Sequence, residues 1–64
     1  MNKDIFPEKI KEVRMAHFYS RKELGELLGI TEQTIYLYEK GKRYPRMTIL
    51  RNISHLAKEK NIDF

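Results

Sequence analysis

An all-α, compact four-helix domain is the fold this sequence predicts. Apolar residues recur at three- and four-residue spacing along most of the chain, and no strand-like alternation interrupts them. Two helix starts, Ser20 and Thr31, fall eleven residues apart with Gly29 between them. The 64 residues allow one domain, 1–64, with a small core. With no cysteine there is no disulfide, so helix packing must supply the stability.

The first helix is expected from Pro7 to about His17. Proline suits the first helical position because its missing N–H has no acceptor there anyway. Ile10 and Val13 mark the inward face, with Phe6 and His17 open as further members. The second helix runs from Arg21 to Leu28, with Leu24 and Leu28 inward. Ser20 with Glu23 forms a capping box, the hydroxyl taking the Glu23 amide and the carboxylate returning to the Ser20 amide. Gly29 ends this helix through a left-handed residue. Thr31 caps the third helix, Glu32 to Lys40, whose Ile35 and Tyr38 point inward and which Gly41 ends. Lys42 to Arg46 is a loop in which Pro45 holds Tyr44 extended. The fourth helix runs from about Met47 to Lys58 or Lys60, with Leu50, Ile53 and Ala57 inward.

Two short helices joined by so tight a turn cannot lie parallel. They cross steeply, and the second is free to project. That is a helix-turn-helix unit, about residues 20–41, whose second helix fits a DNA major groove.

The net charge of +4 is unevenly placed. Residues 1–39 are close to neutral. Lys40, Lys42, Arg43, Arg46 and Arg51 then follow with no acid among them, where a DNA backbone would pass the projecting helix. No apolar run approaches the roughly 20 residues of a membrane span, and no signal peptide is visible. A cytoplasmic protein is the expectation. His17 and His55 are isolated, with no metal-ligand spacing, and no Ser or Thr has a plausible base and orienter. The chain is therefore read as no enzyme, with no catalytic residue, cofactor, metal or small-molecule ligand.

From Glu23 to Pro45 the chain reads E-L-G-x-L-L-G-I-T-x-x-T-I-x-x-Y-E-x-G-x-x-x-P. This resembles the Cro/repressor-type (XRE-like) helix-turn-helix family, whose fold is lambda-repressor-like. Gly25 stands where that family keeps a small residue so that helices can touch, and Gly29 is at the turn. Ile30, Ile35 and Tyr38 match core positions, while Glu39, Gly41 and Pro45 match the exit from the third helix. The likeness covers roughly residues 10 to 57. Phe18 departs from it, standing where the family usually has glycine. The chain also stops where a fifth helix is common, so a truncated five-helix domain is a second form of the expectation. Asn61 to Phe64 looks like the entry to such a helix.

The resemblance implies that Glu32, Gln33 and Leu37 meet base edges. Their chemistry suits this: Gln33 pairs with adenine N6 and N7, Glu32 accepts from cytosine N4, and Leu37 packs on a thymine methyl. The competing reading of these residues is a solvated helix face. Ser20, Arg21 and Lys22 open the second helix, where free amides attract phosphate. Thr31, Thr34, Lys40, Lys42 and Arg43 are further backbone candidates, and such contacts position without reading sequence. The resemblance also implies an ion pair between Arg14 and Glu39 that fixes helix orientation. Tyr19, Tyr38 and Tyr44 read as core or rim aromatics.

The resulting expectation is a transcriptional regulator, a repressor, bound as a homodimer to a two-fold related double-stranded operator. A protein-interaction or antitoxin-type module on the same fold is the alternative, as is the N-terminal domain of a longer sensor protein. An interaction module should expose apolar residues, for which Phe18, Leu27, Leu37 and Phe64 are the candidates.

Overall fold

Local capping chemistry sets the element boundaries in the computed structural model, which describes residues 2–64. The helices are α1 (Phe6–Ala16), α2 (Arg21–Leu28), α3 (Glu32–Glu39) and α4 (Met47–Glu59), and no strand occurs among the described residues. Ser20 and Glu23 close the capping box, with Glu23 N–H to Ser20 Oγ at 3.0 Å and Ser20 N–H to Glu23 Oε1 at 2.7 Å. Thr31 Oγ1 accepts from the Thr34 amide at 3.1 Å and starts α3.

Every helix ends on the same backbone device. A residue in the left-handed region follows it, and the next amide bonds back across the last turn. The bonds are Tyr19 N–H to Arg14 O, Ile30 N–H to Gly25 O, Lys42 N–H to Leu37 O and Ile62 N–H to Ala57 O, at 2.8–3.0 Å. The left-handed residues are Phe18, Gly29, Gly41 and Asn61. Glycine and asparagine take this conformation readily. Phe18, at φ 60°, does not, and a side chain there costs roughly 1–2 kcal/mol. The loop after α1 thus keeps the shape a glycine would give, with a phenylalanine in its place.

α2 packs against α3, α1 against α3 and α4, and α4 also against α2. The core they share is Phe6, Ile10, Val13, Leu24, Leu28, Ile35, Tyr38, Ile53 and Ala57. Phe6 is its aromatic hub. Its ring meets Tyr38, Tyr44 and Phe64 edge-on, with centroids 5.8, 5.2 and 6.3 Å away. At the far end of α1, His17 Nε2 donates to the Leu56 carbonyl at 2.8 Å, and its ring stacks on Tyr19.

Several expectations need correcting. α1 begins at Phe6, one residue early, and stops at Ala16. α3 stops at Glu39, with Lys40 as its cap. Leu50 is half-buried, because the mouth of its groove is open. Leu37 is half-buried instead of exposed, and so is Phe64. Residues 61–64 are not themselves helical: Asn61 reverses the chain, and Phe64 folds back onto Phe6. Of the expected exposed apolar residues, only Phe18 and Leu27 are in solvent.

Candidate nucleic-acid interface

The turn between α2 and α3 is closed by backbone contact. A Cβ built on Gly25 would lie 2.7 Å from the Ile30 carbonyl oxygen and 3.2 Å from the Glu32 nitrogen. Nothing larger than hydrogen fits without moving one helix off the other. The start of α3 therefore leans directly on α2, which fixes how α3 is presented.

On α3, Glu32 and Gln33 are exposed in the first turn, and Leu37 lies one turn further on, half-buried. Glu32 also suits the positive end of the helix. Thr31 and Thr34 face each other, Oγ1 to Oγ1 at 2.9 Å. One hydroxyl proton is used between them, and the second remains available to an outside acceptor. Ser20 keeps its hydroxyl proton as well, since its oxygen is the acceptor in the capping box. The amides of Arg21 and Lys22, and of Glu32 and Gln33, have no intrachain acceptor among the described residues. Two helix starts thus present free N–H groups.

Arg21 is only partly available. Its Nε donates to Glu39 Oε1 at 3.1 Å, and its guanidinium lies 5.5 Å from the Tyr36 ring centroid. Its outer nitrogens retain unused donors. Lys40 sits over the same ring at 5.5 Å, so Tyr36 is held between two cations. Lys22, Lys42 and Arg43 are exposed.

Arg14 and Glu39 lie inside the framework. Arg14 Nε donates to Glu39 Oε2 at 2.7 Å and Nη2 to Oε1 at 3.3 Å, while Nη1 reaches the Tyr19 carbonyl at 3.0 Å. The Glu39 side chain is 3% exposed and that of Arg14 is 12% exposed. One carboxylate therefore joins α1, the turn after it, α2 and the end of α3.

A cleft of about 310 Å³ lies beside the α2–α3 turn, lined in part by Thr34, Tyr38, Arg43, Arg46 and Thr48. Arg46 is the cap of α4 and makes no side-chain capping bond, so the first amides of that helix also open here. Burial holds the Tyr38 phenol above its ordinary value, against the pull of Arg43 and Arg46. Two guanidinium groups, hydroxyls and a helix start make this an anion-attracting hollow. Sequence reasoning grouped Arg46 with the basic stretch but missed Thr48. Its place in the first turn of α4 was the available signal.

Comparison with known proteins shows the family of the chain. A helix-turn-helix family model matches residues 10–60. The chain belongs to that family. It is a family of DNA-binding regulators and not of enzymes. The chain is 40% identical over 45 residues to the uncharacterized HTH-type transcriptional regulator YgzD of Bacillus subtilis, a match covering 70% of this chain and 68% of that protein. It is 35% identical over 52 residues to YonR, an SPbeta prophage-derived uncharacterized HTH-type transcriptional regulator of the same organism. That match covers 81% of this chain and 48% of YonR, so the chain spans about half the length of this relative. No solved structure matches it significantly.

Proposed function

We propose that this chain binds double-stranded DNA sequence-specifically and regulates transcription, as a repressor, with α3 in the major groove. The observation that carries the reading is the contact of Gly25 with the start of α3. It locks α3 at a fixed cant, with Glu32 and Gln33 in solvent at its leading end. Gln33 reads adenine, Glu32 cytosine, and Leu37 supplies an apolar edge for a thymine methyl. Ser20, Arg21, Lys22, Thr31, Thr34, Lys40, Lys42 and Arg43 hold the phosphates, joined by Arg46 and Thr48 at the cleft. A homodimer on a two-fold operator with half-sites about one helical turn apart completes the arrangement. Its place of action is the cytoplasm. Among the described residues no helix is long and apolar enough to cross a membrane.

Selection of binding sites from a random duplex pool tests the proposal. Enrichment of one short, two-fold related sequence is the expected result, and recovery of unenriched DNA would sink the base-reading assignment. A protein-interaction role is the second reading, favoured by the exposure of Phe18 and Leu27.

A further inference from the structure

Phe18 is the most exposed large apolar residue among those described, at 90%, with Met47 next at 68%. Among the described residues it makes no ring or cation–π contact. It is also the residue least suited to its backbone, at φ 60° in a turn closed elsewhere by Gly29, Gly41 and Asn61. Glycine here would relieve the strain and remove exposed apolar surface together. Backbone strain under an exposed aromatic ring motivates a functional reading of this residue.

The turn that carries Phe18 is rigid. Phe18 N–H bonds to Met15 O and Tyr19 N–H to Arg14 O, each at 3.0 Å. The Tyr19 carbonyl in turn accepts from Arg14, itself held by the buried Glu39. The flanking side chains of His17 and Tyr19 stack on each other, and the Phe18 ring stays in solvent. Two residues on, Ser20, Arg21 and Lys22 open α2 with hydroxyl, cations and free amides. A phosphate at that helix start would bring its sugar within reach of the exposed ring two residues before the Ser20 cap.

We infer that Phe18 is a DNA-backbone contact whose ring packs on a deoxyribose next to the phosphate held at the start of α2. This rests on the DNA-binding reading above. The contact is apolar and sequence-independent, so it strengthens binding to all duplexes alike and orients the start of α2 on the strand.

The test compares wild type with Phe18→Gly, Phe18→Asn and Phe18→Tyr by thermal unfolding and by titration on a selected and a random-sequence duplex at two salt concentrations. Phe18→Gly should melt about 4–8 °C higher, the shift expected of a domain this small for relief of such strain. It should bind both duplexes roughly 3- to 10-fold more weakly, by the same factor. The log–log salt slope should not change, since no phosphate charge is involved. Phe18→Asn, also suited to the left-handed turn, should repeat the loss, and Phe18→Tyr should keep wild-type affinity. Wild-type affinity in the Gly and Asn variants would overturn the inference and leave Phe18 to a protein partner. A loss confined to the selected duplex would overturn it too, because that would be base reading. Failure of the wild type to bind any duplex would instead overturn the DNA-binding reading beneath it.

Discussion

Glu39 accepts from two arginines while almost wholly buried, so its charge depends on them. Arg14 is the deeper partner. Replacing it with Met leaves a buried carboxylate facing only the half-exposed Arg21, a loss of about 3 kcal/mol. Arg14→Met combined with Glu39→Leu should cost less than Arg14→Met alone, since no unpaired charge remains. Urea unfolding of the three variants measures this, and a double variant less stable than Arg14→Met would contradict it. Gln33 is a different case, exposed and, among the described residues, without a side-chain hydrogen bond. Gln33→Ala should leave stability unchanged, weaken cognate binding by about 1–3 kcal/mol and relax preference at one base position. Selection with the variant checks it; an unchanged preferred sequence at unchanged affinity would remove Gln33 from the reading set. Tyr38 is set by burial, which keeps its phenol neutral beyond the ordinary value of 10.0. The unfolded chain gives up that proton first, so the folded state loses stability as pH rises from about 10 through the folded value. Tyr38→Phe removes this contribution, and its stability should fall less steeply than wild type over the same alkaline range.

At the scale of elements, the α2–α3 joint decides how α3 is presented. Gly25→Ala places a methyl 2.7 Å from the Ile30 carbonyl oxygen, which is backbone and cannot swing away. The expected cost is about 1–3 kcal/mol, with DNA affinity reduced further than the unfolded fraction explains, because α3 is re-aimed. Thermal unfolding and titration on one preparation separate the two effects, and a variant as stable as wild type would contradict the close contact. The joint was legible in the sequence because its chemistry is local. Ser20 with Glu23, Thr31 with the Thr34 amide, and Gly29 after Leu28 each act within one helical turn. Leu37, Leu50 and Phe64 were misjudged for the opposite reason. Helical spacing tells which side a residue lies on, but the depth of cover comes from neighbours far along the chain. Phe64 lies against Phe6, 58 residues away in sequence, and no periodicity signals that contact. The cleft around Arg43, Arg46 and Thr48 was half legible: the charge run was visible, the hollow formed with Thr34 and Tyr38 was not.

For the whole molecule the central claim is electrostatic and geometric at once: the basic stretch after α3 faces a DNA backbone. Lys40, Lys42, Arg43, Arg46 and Arg51 carry a charge larger than the chain's net +4. Lys42 and Arg43 are exposed, and Arg43 lines the cleft by the start of α4. The most direct measurement is a titration of wild type and the Lys42→Gln/Arg43→Gln variant on duplex DNA at three salt concentrations. Wild-type affinity should fall steeply with salt, each phosphate contact contributing about 0.9 to the log–log slope. The double variant should lower that slope by up to about 2 and weaken selected and random duplexes by similar factors. A double variant that keeps the wild-type slope, or a wild type without duplex affinity at low salt, would contradict the DNA-facing placement of this surface.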